Sequence, residues 1–302
     1  MTPPVNRREF LATTSAVALA SAVPAVALGA APAPALPKSA VDRVILGKTG
    51  IAVSYVGMGT GSHGSNQSSN QTKLGVKGFT KLVRDALDRG INFFDVADQY
   101  GSHTYLREAL KGVPREKYVI QTKTHATNYA DAKSHLERYR MELGVDMMDV
   151  VLLHCMTKKQ WPADHTGAMD YLRQAKAEGI IRAHGTSCHG MDPLVTSAGE
   201  AFVEVDLARI NPEGLVMDDK KPDEVASRLQ EMHDRGVGVV GMKILGEGAM
   251  KEGERRDNSL RYVLELGTVD SFVIGFESAE QVDDILKRTD AAIADVARRR
   301  KA

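Results

Sequence analysis

From residue 41 onward, two hydrophobic rhythms alternate along the chain. Short apolar runs such as "INFFDVAD" (91–98), "YVIQTKTH" (118–125) and "MDVVLLH" (148–154) have the length and composition of buried β-strands. The stretches between them repeat their apolar residues at helical spacing. Phe79, Leu82, Val83, Ala86 and Leu87 fall at i, i+3, i+4, i+7 and i+8, and Gly90 supplies a stop. The same alternation predicts strands at 55–61, 181–187, 203–211, 237–244 and 271–276. It predicts further helices at 102–112, 130–143, 167–178, 191–201, 222–235, 258–266 and 278–299. Ahead of the first strand, "RVILGKTGIAVSYVG" (43–57) reads as a hairpin turning on "KTG".

Strand–helix alternation requires parallel strands joined by right-handed crossovers. Eight such units in about 260 residues fit an α/β fold, the closed (β/α)8 TIM barrel, better than an open sheet. A doubly wound sheet would carry G-x-G-x-x-G after its first strand. Here "GMGTG" (57–61) has the wrong spacing and runs into a polar loop.

The first residues follow another pattern. "NRREFLA" (6–12) sets Arg7 and Arg8 before a mild, alanine-rich apolar run, and Ala25 and Ala27 offer an A-x-A cleavage site. Residues 1–30 read as a twin-arginine signal peptide, 31–42 as a Pro/Ala linker and 43–302 as the barrel. Export by the twin-arginine translocase to the periplasm is expected, with an uncleaved membrane anchor as the alternative. Lys+Arg and Asp+Glu both number 39, so charge makes no case for nucleic acid or an anionic membrane. Two cysteines cannot build a disulfide framework, although export leaves a Cys155–Cys188 bond open. No heptad or apolar surface stripe marks an oligomer interface.

In such barrels the chemistry sits at the C-terminal ends of the strands. Those ends carry Asp95, with Tyr100 just beyond it, then Lys123 and His154. Any one alone is an ordinary surface or core residue. Burying four titratable groups together costs several kcal/mol unless they pair, which makes the set a candidate site. Their chemistry suits proton delivery to a carbonyl. An ammonium held by a carboxylate is expected to lower the phenol's pKa from about 10, and an imidazole can orient the carbonyl oxygen. A hydride donor is then needed, and a nicotinamide cofactor supplies one.

These motifs resemble the aldo-keto reductase family from about residue 43 to the end. "DVADQYG" is similar to its D-T-A-x-x-Y-G, "VIQTK" to its lysine strand and "DVVLLH" to its histidine strand. The resemblance implies NADPH- or NADH-dependent reduction of a small aldehyde or ketone, with Asp95, Tyr100, Lys123 and His154 catalytic and Tyr100 the proton donor. It also implies a cofactor site at Ser187, Asn211, Met242, Lys243, Leu245, Gly275, Glu277 and Gln281, with Lys243 a phosphate partner. Cys188 stands where the family has asparagine. Gly275, Phe276 and Gln281 stand where strongly NADPH-specific members clamp a 2′-phosphate. Trp161, the only tryptophan, is expected either to wall the substrate pocket or to anchor its own loop. Three rival readings remain: a Schiff-base aldolase using Lys123; a metal site drawing on Cys155, Cys188, His154, His184 and His189; and an exported nucleotide-binding barrel without turnover.

Overall fold

The computed structural model describes residues 35–217 and 219–302. The segment read as a signal peptide lies outside the described residues. The described part of the segment read as a linker packs on the barrel. Ala40 is buried, its N–H donates to Asp290 Oδ1 at 2.7 Å, and its carbonyl accepts from Val56 N at 2.9 Å.

A hairpin of β1 (Arg43–Ile45) and β2 (Ala52–Ser54) precedes the barrel. Eight parallel strands follow: β3 (Val56–Gly59), β4 (Phe93–Asp95), β5 (Val119–Thr124), β6 (Met148–Met156), β7 (Ile181–Cys188), β8 (Val205–Arg209), β9 (Gly238–Met242) and β10 (Ser271–Ile274). They pair in chain order, and β10 closes on β3. Around them lie α1 (Gly75–Asp88), α2 (His103–Leu110), α3 (Tyr129–Leu143), α4 (Trp161–Asp164), α5 (Thr166–Ala177), α6 (Met191–Gly199), α7 (Pro222–Arg235), α8 (Gly253–Leu266) and α9 (Ala279–Arg299). This is the (β/α)8 barrel that the periodicity predicts. The short α4 was not expected, because four residues show no period. Helix α8 starts five residues earlier than expected, since "GERRD" carries no apolar stripe.

Alternation along the strands builds two cores. Outward residues such as Phe94, Ile120, Val151, Val239 and Phe272 pack under the helices. Inward residues such as Phe93, Val150, Ala183, Val205 and Val240 fill the lumen, and Leu46, Ile51 and Val53 of the hairpin plug it from below. Gly47 lets the hairpin seat. Its φ is +48°, and a Cβ there would stand 2.4 Å from the Gly236 carbonyl oxygen.

Candidate active site

Each inward row begins apolar at the bottom and turns polar at the mouth. In β4 it runs Phe93, Asp95; in β5 Val119, Gln121, Lys123; in β6 Val150, Leu152, His154; in β7 Ala183, Gly185, Ser187. Strand parity therefore aims the acid, the amine and the imidazole into one space.

Lys123 is buried. Its Nζ donates to Asp95 Oδ1 at 2.6 Å and to the Val96 carbonyl at 3.0 Å. Gln121 donates to the same Oδ1 at 2.8 Å. Burial lowers the Lys123 pKa from 10.5 against the pull of Asp95. Tyr100 ends a single 3-10 turn, Asp98–Tyr100, which follows β4. Its hydroxyl lies 3.4 Å from His154 Nε2, with the two rings edge to face. The loop after β3 presses on the phenol, and a Cβ at Gly61 would meet the ring at 2.3 Å.

One expectation reverses. Burial first, and then the Asp95 carboxylate, raises the Tyr100 pKa above its usual value. The ammonium does not offset this: it is engaged by Asp95 and stands 5.0 Å from the ring centroid. His154 is pushed well below its ordinary pKa by burial and by Lys123, His125 and His189, so it is neutral at physiological pH. Among the described residues its buried Nδ1 has no hydrogen-bond partner, and His125 stacks on the ring at 4.4 Å between centroids.

A polar wall missing from the sequence reading completes the mouth. Arg209, two residues after the inward Leu207, donates from Nη2 to His189 Nδ1 at 2.7 Å. Cys155 Sγ lies 3.3 Å from the same nitrogen. A guanidinium only donates, so Nδ1 accepts and the ring is neutral. Burial and the surrounding cations accordingly hold the His189 pKa at about 3. Parity at the end of β8 was the signal for Arg209. His125 and His189 lie in loops, where no period points.

A cavity of about 290 Å³ extends from Tyr100 to the start of α9. Met242, Lys243, Leu245, Gly275, Glu277 and Gln281 are among the residues that line it. Lys243, however, pairs with Glu247 at 2.6 Å, so its charge is already matched. Ser187 is buried at the end of β7, and among the described residues its Oγ has no hydrogen-bond partner. Asn211 does not border the cavity. Its Nδ2 donates to the Leu215 and Lys243 carbonyls, and its Oδ1 accepts from the Glu213 and Leu215 amides, so it shapes its own loop. Of the two roles open to Trp161, the packing matches the loop anchor. It is buried against Phe202, 6.3 Å between centroids, and anchors the loop after β6.

Cys155 and Cys188 are not joined to each other by a disulfide bond. Cys155 faces His189, whereas Cys188 is buried 3.2 Å from Ser197 Oγ and 3.3 Å from Asp206 Oδ2. Among the described residues no three His, Cys, Asp or Glu side chains converge to hold a metal ion. His184 lies stacked on Phe202 instead. The 2.6 Å pairing of Lys123 with Asp95 is likewise unlike the desolvated free amine that a Schiff base requires.

The Aldo/keto reductase family profile matches residues 55–299, so the chain belongs to this family. Glycerol 2-dehydrogenase (NADP(+)) of Saccharomyces cerevisiae is 28% identical over 40% of this chain and 34% of its own length. NADH-specific methylglyoxal reductase of Escherichia coli is 24% identical over 49% of this chain and 52% of its own length. The chain thus spans about a third and about half of these curated relatives. Among solved structures, the holo form of an aldo-keto reductase from Bacillus halodurans superposes with a TM-score of 0.67 at 19% identity. It covers 86% of this chain and 96% of that one, a likeness that shows the fold.

Proposed function

We propose that the barrel reduces small hydrophilic aldehydes or ketones to alcohols with a nicotinamide nucleotide, Tyr100 giving the proton. The single observation that carries this reading is the meeting of the Tyr100 hydroxyl with neutral His154 beside the buried Lys123–Asp95 pair. The elongated cavity and the unpartnered Ser187 Oγ fit a dinucleotide whose nicotinamide end reaches the strand ends. Bound there, the nucleotide supplies the hydride. The chain does the rest. A phenol with a raised pKa stays protonated at neutral pH, which suits reduction, where the proton must be given rather than taken. Neutral His154 orients the carbonyl oxygen toward that proton. Lys123, fixed by Asp95 and Gln121, places a positive charge beside the oxygen as its charge develops.

Two finer readings go with it. At the far end of the cavity stand Glu277 and Asp284, and Arg256 is tied to Asp284 at 2.7 Å. Carboxylates accept hydrogen bonds from a ribose 2′-hydroxyl and repel a 2′-phosphate, so we infer a preference for NADH. Beside His154 stand the polar groups of His125, His189 and Arg209, which suit a hydroxylated or acidic substrate. The names of the two curated relatives, one acting on glycerol and one on methylglyoxal, agree with that polarity. The Arg7–Arg8 segment supports export by the twin-arginine translocase to the periplasm, and Arg7→Lys with Arg8→Lys would keep the protein in the cytoplasm if this holds.

The test is NADH and NADPH consumption with methylglyoxal or glyceraldehyde, beside Tyr100→Phe. The variant should lose roughly 10²–10⁴-fold in turnover and keep its nucleotide affinity. Nucleotide binding without turnover in either protein would instead favour the non-catalytic barrel.

A further inference from the structure

We propose that Arg138 of α3 is a positioning residue for Tyr100, clamping the turn that carries the phenol and tying it to the strand that carries Lys123. The proposal rests on the reading of Tyr100 as proton donor. Tyr100 sits on one 3-10 turn, closed by Tyr100 N to the Ala97 carbonyl at 3.1 Å and Gly101 N to the Asp98 carbonyl at 2.9 Å. A turn of that length has poor hydrogen-bond geometry and little stiffness of its own. It opens on Asp98, and Arg138 holds both carboxylate oxygens: Nη1 to Oδ1 at 2.9 Å and Nη2 to Oδ2 at 2.8 Å. A bidentate guanidinium–carboxylate pair fixes direction as well as distance. Among the described residues the only other side chain that hydrogen-bonds Asp98 is Gln67, whose Nε2 stands 3.4 Å from Oδ1.

The clamp continues inward. Arg138 Nη1 also donates to Glu142 Oε1 at 2.7 Å, one turn along α3. Glu142 Oε2 meets His103 Nδ1 at 2.8 Å, and His103 Nε2 meets Thr122 Oγ1 at 2.8 Å. His103 opens α2 three residues after Tyr100, and Thr122 is the outward neighbour of Lys123 on β5. One chain of hydrogen bonds therefore runs from two residues before the phenol to one residue before the ammonium. Asp98, Arg138, Glu142, His103 and Thr122 make no contact with the Tyr100 hydroxyl or the Lys123 ammonium themselves, and the residue the clamp places is Tyr100. Arg138 also holds the Asp98 carboxyl at a pKa of about 2, keeping the pair ionised across the working range.

The experiment combines a double-mutant cycle with hydrogen exchange on the full chain. Arg138→Ala should lower kcat with methylglyoxal by about ten- to a hundredfold through misplacement of the donor, with nucleotide affinity kept. In a Tyr100→Phe background the same change should have little further effect, because its target is gone. Methylguanidinium should restore part of the lost rate, and the Tyr100 and Gly101 amides should exchange faster while those of β5 and β6 stay protected. If Arg138→Ala does not fold, Asp98→Asn tests the same clamp from its other end. An unchanged kcat, or an equal loss in the Tyr100→Phe background, would overturn the proposal. If the wild-type protein shows no turnover, the reductase reading fails, and unaltered exchange at Tyr100 and Gly101 then overturns the clamp independently.

Discussion

Asp95 and Asp206 are both buried carboxyls on barrel strands, and the molecule treats them in opposite ways. Asp95 faces the lumen, where it receives the Lys123 ammonium at 2.6 Å and the Gln121 amide at 2.8 Å. Asp206 has the opposite parity on β8 and faces the helix layer. Among the described residues its Oδ2 accepts only from the Thr186 hydroxyl at 2.6 Å and the Cys188 thiol at 3.3 Å, and its Oδ1 has no hydrogen-bond partner. Burial alone lifts its pKa to about 6. A buried acid is thus no sign of catalysis by itself. What separates a working carboxylate from a stranded one is whether strand parity brings it a cation.

The comparison breaks hardest at the ion pair. Asp95→Leu leaves a buried ammonium uncompensated and should cost about 3–5 kcal/mol in urea unfolding, together with turnover. Adding Lys123→Met should return most of the stability and none of the activity. Recovery of activity in the double variant would show that the pair is scaffolding. Next comes Gly61→Ala, whose methyl group would push on the Tyr100 ring and should lower kcat by about ten- to a hundredfold with little change in melting temperature.

Asp206→Asn sharpens the contrast from the other side. A carboxyl whose folded pKa is raised holds its proton in the folded state, so its ionisation destabilises the fold as pH rises from 3.8 through about 6. The variant should be more stable than wild type above that window, by an amount on the order of 1–3 kcal/mol, and no more stable below it. Turnover should be unchanged. Destabilisation at neutral pH would mean that the charge at Asp206 has a compensating partner after all. The smallest expected effect is on the pH profile of reduction. His154 and His189 are neutral at physiological pH, so the rate should show no inflection near 6.5. It should fall on the alkaline side as Lys123 loses its proton below 10.5.

Much of this was legible in the residues. The eight strands announced themselves because parallel barrel strands are buried on both faces and read as continuous apolar runs. Asp95, Lys123 and His154 were legible because each ends such a run at inward parity. The role of Trp161 stayed open and that of Asn211 was misjudged because both lie in strand-to-helix connections. There, side-chain direction follows from contacts distant in sequence, with Phe202 in one case and the Lys243 carbonyl in the other. The Tyr100 pKa was misjudged for a related reason. Sequence shows which charges lie near, while burial depth, the larger effect here, belongs to the packed state.

The sequence by itself determined the barrel, its order of elements and the identity of the groups at its mouth, because periodicity is local and strand parity is its direct consequence. Only the tertiary structure decided how those groups are held. It set Lys123 against Asp95, brought Arg209 to His189, left Cys155 and Cys188 apart, and joined Arg138 to Asp98 across 40 positions of chain. Those arrangements depend on distances across the closed sheet and its helix layer, which no local pattern records.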